Sequence, residues 1–194
     1  FSRRNVSDGL SVNRKAQIIE KNNQHWLQVA VYPAPHILIV GGGADAVAVY
    51  SIAKQLGWIV TVWDPRAANA KRQYFQQADT ILRCPPQELT QYCEMQKVDA
   101  SILMAHSVEL DANALFALSQ SHLKYMGLLG PKHRRAQVFE QANTAVEDVK
   151  APVFGPVGLN LGGDSPESIA LSLISEIHAV LSNKDAKSLS NWGQ

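Results

Sequence analysis

Short apolar runs alternate with stretches of helical periodicity from residue 36 onward. The runs typical of strands cover His36–Val40, Ile59–Trp63, Thr80–Leu82, residues 100–105 and residues 125–129. Between these runs, apolar residues recur every three or four positions, as they do on one face of a helix. This alternation is typical of βα units. We therefore expect a doubly wound, mainly parallel sheet with strand order 3-2-1-4-5 and helices on both faces.

Five helices are predicted between and after these strands. They cover residues 46–56, a segment that Pro85 and Pro86 open, residues 110–119, residues 132–143 and Pro166–Leu181. The last helix is apolar on two sides, and a Gly- and Pro-rich segment, residues 152–163, precedes it. One domain surface cannot readily cover both apolar sides, so this helix and segment predict a homodimer or a docking face.

The two ends of the chain differ from its centre. Residues 1–25 are polar and predict an arm or the remnant of a missing domain, and residues 183–194 predict a polar tail. Apolar residues from Trp26 to Val31 indicate a strand that Pro33 ends. The predicted α/β domain therefore spans residues 26–182.

Composition narrows the class of protein. Of 194 residues, 46% are hydrophobic and 18% are charged, and the net charge is +1. This balance favours neither nucleic acid nor a membrane surface as a partner. The sequence has no run of about 18 apolar residues, which argues against a transmembrane helix. Two cysteines, Cys84 and Cys93, have no metal-ligand spacing. We expect a cytoplasmic protein with free thiols.

A glycine-rich turn between the first strand and the first helix is the strongest chemical signal. Gly41, Gly43 and Ala46 have the G-x-G-x-x-A spacing, in which the middle position lets backbone approach a pyrophosphate. The helix start would face the same anion. Asp64 ends the next strand, where an acid accepts from a ribose hydroxyl. The pattern predicts nucleotide or dinucleotide binding, and close packing of helix on strand is the alternative.

Other candidate residues follow the predicted strands, at the sheet edge where such folds bind ligands. His106 follows the fourth strand directly and could bind phosphate or move a proton. Arg66 could pair with Asp64 or reach an anion, and Asp111 could merely begin a helix.

A second glycine turn precedes a basic helix start at residues 130–135. Basic residues oppose the helix dipole there, which favours a phosphate site over a solvated basic surface. Neither a nucleophile triad, a zinc site nor paired catalytic carboxylates stand out in the sequence, so no catalytic residue is assigned.

Several motifs occur in an order that resembles one family. They are Leu-Ile-Val-Gly-Gly-Gly at 38–43, Trp-Asp-Pro-Arg at 63–66, the segment 106–111, Tyr-Met-Gly-Leu-Leu-Gly at 125–130, Pro-Val-Gly-Leu-Asn-Leu-Gly at 156–162 and Ser-Pro-Glu-Ser at 165–168. Together they resemble the C-terminal Rossmann-type domain of the xanthine dehydrogenase accessory factor family, called XdhC or CoxI.

The resemblance implies an accessory or chaperone role for molybdenum hydroxylases such as xanthine dehydrogenase and carbon monoxide dehydrogenase. It implies that the molybdenum–pterin cofactor or its dinucleotide form is bound, and that the hydroxylase apoenzyme and a cofactor-sulfurating enzyme are partners. An NAD(P)-dependent oxidoreductase and a nucleotide-sensing regulatory domain are the alternatives. The predicted cofactor-binding residues are Gly41, Gly42, Gly43, Ala44, Asp45, Asp64, Arg66, His106, Ser107, Asp111, Gly130 and Lys132.

Overall fold

The computed structural model describes residues 16–29 and 32–190, which belong to two compact units divided after Pro33. The smaller unit contains an antiparallel hairpin of β1 (Gln17–Lys21) and β2 (Gln24–Gln28). Asn22 and Asn23 connect these strands with φ values of 56° and 58°, as a two-residue hairpin turn requires. The strand predicted at 26–31 overlaps β2, and its residues 30–31 lie outside the described part.

The larger unit begins at Ala34 rather than at residue 26, where the sequence placed the domain start. The physical reason is strand pairing, because Trp26 lies opposite Ile19 in the hairpin instead of joining the main sheet. Residues 1–15 and 191–194 lie outside the described residues, so the predicted domain remnant and the far end of the polar tail stay predictions.

Six parallel strands form the sheet of the larger unit. They are β3 (His36–Val40), β4 (Ile59–Trp63), β5 (Thr80–Leu82), β6 (Ala100–Leu103), β7 (Tyr125–Leu128) and β8 (Val153–Phe154). Their spatial order is β5-β4-β3-β6-β7-β8, which is 3-2-1-4-5-6 counted from β3. The predicted order is confirmed. The sequence missed β8 because two residues are too few to show a periodicity.

Helices cover both faces of the sheet, as predicted. They are α1 (Ala44–Gln55), α2 (Glu88–Gln96), α3 (Val108–Leu118), α4 (Lys132–Gln141) and α5 (Pro166–Leu181), with a short 3-10 helix at Val146–Asp148. Alternate strand residues face the two sides: Ile37 and Ile39 pack in the core beneath α1 and α5, whereas Leu38 and Val40 pack beneath the other helices. None of the described helices is long and apolar enough to cross a membrane.

A tyrosine and a glutamate join β7 to α5. The Tyr125 hydroxyl donates to Glu176 Oε2 at 2.6 Å, and the Gly158 N–H donates to the same oxygen at 2.9 Å. Burial and the bond to Glu176 raise the pKa of Tyr125, which keeps the phenol protonated. A Cβ on Gly127 would lie 2.7 Å from both the Tyr125 ring and Val157. The Tyr-x-Gly motif is therefore a packing motif.

Candidate functional site

The glycine turn after β3 lies at the carboxyl edge of the sheet. Gly41 has φ +109°, and a Cβ there would lie 2.5 Å from the Ala105 Cα. A Cβ on Gly42 would lie 2.4 Å from the Ala70 nitrogen. These two glycines are needed for close approach of neighbouring backbone, which supports the packing explanation for that part of the motif.

Gly43 differs from the two glycines before it. Its φ is −76°, which any residue adopts, and a Cβ would meet nothing within 4 Å. It caps α1 without a side-chain hydrogen bond, and Ala44 and Asp45 form the first turn of that helix. Open space therefore lies at the positive end of a helix, where backbone N–H groups lack intrahelical partners.

Asp64 is fully buried, and both of its oxygens are bound by the protein. Oδ2 accepts from the Gly42 N–H at 2.9 Å, from Arg66 Nη2 at 2.7 Å and from Asn69 Nδ2 at 3.0 Å. Oδ1 accepts from the Arg66 backbone N–H at 3.0 Å and from its Nε at 2.9 Å. A ligand hydroxyl would have to displace one of these donors. The structure gives Asp64 a structural role, and the predicted ribose contact stays a prediction.

Two charged side chains bind the backbone of the residue before His106. Arg66 Nη2 donates to the Ala105 carbonyl at 2.9 Å, and the Ala105 N–H donates to Asp111 Oδ1 at 3.0 Å. Asp111 Oδ2 in turn accepts from Arg134 Nη2 at 2.5 Å. The predicted pairing of Arg66 with Asp64 is confirmed. Arg66 and Asp111 also hold the loop between β6 and α3, and their predicted ligand contacts stay predictions.

Asp111 lies inside the protein rather than at the surface of its helix. Its side chain is 2% exposed, and burial raises its pKa above the usual value, although the Ala105 N–H and Arg134 act in the opposite direction. The Ala105 N–H and Arg134 are thus the donors that offset part of the desolvation of this buried carboxylate. Asp111 lies in the first turn of α3, as the helix-start interpretation predicts, and its side chain also binds the Ala105 N–H and Arg134.

His106 is held in an unusual backbone conformation at the edge of the site. Its φ is +54°, in the left-handed region that non-glycine residues adopt uncommonly. Its Nε2 lies 3.0 Å from Asp45 Oδ2, and both side chains are partly exposed, at 57% and 43%. The structure thus brings together two predicted residues that remain accessible to a ligand. Ser107 caps α3 by accepting from the Leu110 N–H at 3.3 Å.

The basic start of α4 has structural partners. Arg134 pairs with Asp111, while Arg135 donates to the Gly155 carbonyl at 3.0 Å and lies over the Phe139 ring. These contacts give Arg134 and Arg135 roles within the protein, and the predicted phosphate site at this helix start stays a prediction. Gly130 has φ +114°, and a Cβ there would contact Arg134 at 2.6 Å. Lys132 is exposed in the first turn of α4.

A pocket of about 120 Å³ lies between α1, α5 and the ends of β6 and β7. Its lining is mainly apolar, with two carboxylates, Asp45 at the start of α1 and Asp164 just before α5. The lining residues are Asp45, Val49, Met104, Leu129, Asp164, Pro166, Ile169 and Leu173. Only Asp45 was among the predicted site residues. Asp164 precedes α5 and Pro166 begins it. Both are far from the glycine turn in sequence, and the order of the strands brings them to this edge of the sheet.

Comparisons with known proteins agree with this architecture. The sequence model of the XdhC Rossmann domain matches residues 37–177. A Bacillus subtilis protein described as a probable subunit of xanthine dehydrogenase is 28% identical over 147 residues, which are 76% of this chain and 43% of that protein. The uncharacterized Escherichia coli protein YqeB is 27% identical over 153 residues, covering 77% of this chain and 28% of that protein.

One solved structure is similar in both sequence and fold. The crystal structure of a Bacillus halodurans protein described as a xanthine dehydrogenase superposes with a TM-score of 0.67 at 26% identity. The match covers 78% of this chain and 45% of that one. The chain thus spans less than half the length of each of these relatives.

Proposed function

Because this chain belongs to the family of XdhC Rossmann domains, we propose that it acts as an accessory factor for a xanthine dehydrogenase-type molybdenum hydroxylase. Support comes from the relatives in Bacillus subtilis and Bacillus halodurans, whose descriptions name xanthine dehydrogenase. In this proposal the chain holds the molybdenum–pterin cofactor as cargo before its insertion. The hydroxylase apoenzyme and a cofactor-sulfurating enzyme are the proposed partners, in the cytoplasm.

The observation that carries the proposal is the open space at Gly43. Gly41 and Gly42 are explained by contacts within the protein, whereas a Cβ on Gly43 would touch nothing. The uncapped start of α1 beside it offers backbone N–H groups and the positive end of the helix dipole. The terminal phosphate of the pterin cofactor, or the pyrophosphate of its dinucleotide form, has the charge that this position favours.

The adjoining pocket suits the other end of the same cargo. Its apolar lining can contact a flat ring, and the carboxylates of Asp45 and Asp164 are hydrogen-bond acceptors at its edge. The pyrimidine ring of a pterin carries an amino group and a ring N–H, which are donors that carboxylates bind. His106 pairs with Asp45 and adds one group that can donate or accept a proton.

The NAD(P)-dependent oxidoreductase and the nucleotide-sensing domain receive less support. The oxidoreductase relied on the glycine turn and on Asp64 as the acceptor for a ribose hydroxyl, and that carboxylate already accepts five hydrogen bonds within the protein. The adjoining pocket is mainly apolar and contains the acids Asp45 and Asp164, so it does not favour a further phosphate group of a nucleotide. We therefore propose cargo binding rather than hydride transfer.

The test is a gene deletion in the host, followed by assays of a molybdenum hydroxylase for activity and for the terminal sulfur of its cofactor. We expect loss of both, with restoration by the wild-type gene and not by Gly43→Val. Ala136→Val, which adds similar bulk on an exposed turn of α4, should restore both. Normal activity and normal sulfur content in the deletion strain would contradict the proposal.

A further inference from the structure

The glycine turn has two sides, because the sheet continues from β3 in both directions. On one side lie β6 and β7, with the pocket that Asp45 lines. On the other side lies β4, which Asp64 follows. In folds that bind dinucleotides, the ligand crosses the turn from one side to the other, and the acid after the second strand binds a ribose. The β4 side is therefore where a nucleoside would lie.

Residues 66–70, which we call the covering segment, lie against the glycine turn on the β4 side. The Ala70 N–H donates to the Gly42 carbonyl at 3.1 Å, and Ala70 is 1% exposed. A Cβ on Gly42 would lie 2.4 Å from the Ala70 nitrogen, so not even a methyl group fits between the two backbones. A ribose is larger than a methyl group and has no room there while the covering segment keeps this position.

The covering segment also supplies the hydrogen bonds that a ribose would make. Asn69 Nδ2 donates to Asp64 Oδ2 at 3.0 Å, and the Arg66 guanidinium donates to both oxygens of the same carboxylate. In dinucleotide-binding folds, an acid at this position accepts from ribose hydroxyls instead. The segment therefore replaces a nucleoside both in the space beside Gly42 and in the bonds to Asp64.

Arg83, which follows β5, holds the covering segment in place. Its Nη1 donates to the Arg66 carbonyl at 3.1 Å, and its Nη2 donates to the carbonyls of Asn69 and Ala70 at 3.1 Å and 3.2 Å. One guanidinium thus binds the first residue of the segment and its last two. The Arg83 side chain is exposed, so its removal would loosen the segment without opening the core.

We propose that the covering segment excludes a nucleoside from the glycine turn, so that the chain selects a ligand with one terminal phosphate over a dinucleotide. The identity of that ligand rests on the proposed function, whereas the exclusion rests on the contacts of Asn69, Ala70 and Arg83. The phosphate lies at Gly43, and the organic part extends towards the pocket beside α5. A nucleoside attached to that phosphate would have to displace the covering segment. The single-phosphate form of the molybdenum–pterin cofactor therefore binds more tightly than its dinucleotide form.

Calorimetric titration with the single-phosphate cofactor and with its cytosine dinucleotide form isolates the nucleoside, which is part of only the second ligand. For the wild type we expect a Kd at least about tenfold higher for the dinucleotide form. In the double variant Asn69→Ala/Arg83→Ala this ratio should fall below about threefold, because the segment is released and Asp64 regains a free acceptor position. Arg72→Ala/Gln73→Ala, at exposed positions further along the same connection, should keep the wild-type ratio. Circular dichroism and thermal unfolding check that each variant is folded.

Adenosine 5′-monophosphate separates this inference from the proposed function, because it carries a nucleoside and no pterin. The wild type should not bind it at concentrations up to about 1 mM, whereas Asn69→Ala/Arg83→Ala should bind it with a Kd below about 100 µM. Binding by the wild type, or no gain in the folded double variant, would overturn the exclusion. Equal affinity of the wild type for the two cofactor forms would overturn it as well. If the wild type binds neither cofactor form, the proposed function fails, and the nucleotide titrations still decide the exclusion.

Discussion

Replacement of Asp64 by Asn tests whether this carboxylate belongs to the fold or to a ligand. Asn has nearly the same shape but carries no charge, and one of its two polar atoms is a donor. The Asp64 side chain is fully buried and faces donors only, namely Gly42, Arg66 and Asn69. The amide nitrogen of Asn would therefore face at least two donors, and the Arg66 guanidinium would lose its counter-charge.

The expected magnitude follows from the hydrogen bonds at Asp64. Burial alone would raise its pKa, but the bonds from Arg66, Gly42 and Asn69 outweigh burial and lower the pKa from 3.8 to about 2. That difference corresponds to about 2.5 kcal/mol in favour of the ionised form in the folded protein. Removal of one partner from a buried ion pair costs about 3–5 kcal/mol. We therefore expect Asp64→Asn to lower the free energy of unfolding by about 3–5 kcal/mol at pH 7.

Urea unfolding of the ligand-free protein measures this change, with Asp185→Asn as the control. Asp185 is mostly exposed beside Lys187, so its replacement should change the free energy of unfolding by less than about 0.5 kcal/mol. Because the folded pKa of Asp64 is lowered, its contribution is present above pH 3.8 and is lost as the pH falls towards 2. A loss below about 0.5 kcal/mol for Asp64→Asn at pH 7 would refute the structural role and favour a ligand contact.

Three further predictions concern packing and pH. In urea unfolding, Gly42→Ala should lower the free energy of unfolding by about 1–3 kcal/mol, because the new Cβ would contact the Ala70 backbone. Gly43→Ala should change it little, because its Cβ would contact nothing. Equal losses in the two variants would contradict this prediction. Burial lowers the pKa of His36, so wild-type stability should fall as the pH drops below 6.5, and His36→Gln should reduce that slope between pH 7.5 and 5. Gly127→Ala should lower the melting temperature by several degrees, because its Cβ would contact the Tyr125 ring, and an unchanged value would argue against the packing motif.

The sequence was sufficient for the fold because its signals are local. Each strand of the main sheet except β8 is an apolar run, and Ser165 and Pro166 start α5 where the pattern predicted, with Ser165 accepting from the Ser168 N–H. The strand order follows from the right-handed βα connections that this alternation requires. The hairpin was missed as a separate unit because its pairing, and not its composition, distinguishes it.

The candidate site was less predictable because its contacts are distant in sequence. The edge position of His106 could be inferred, but its pairing with Asp45 depends on how two loops meet. Asp111 is bound by Arg134, 23 residues away, and this pairing gives a structural partner to a basic residue for which the sequence left phosphate binding and a solvated surface open. A local pattern identifies which residues reach the sheet edge. It does not show which of them the protein itself uses.

Calorimetric titration of the purified chain with the molybdenum–pterin cofactor tests the central claim most directly. The account predicts binding of one cofactor per chain, with Kd raised at least about tenfold in Gly43→Val because the added side chain would fill the space at the start of α1. Ala136→Val should bind as the wild type does. Absence of binding by the wild-type chain, or equal affinity in wild type and Gly43→Val with both proteins folded, would contradict the account.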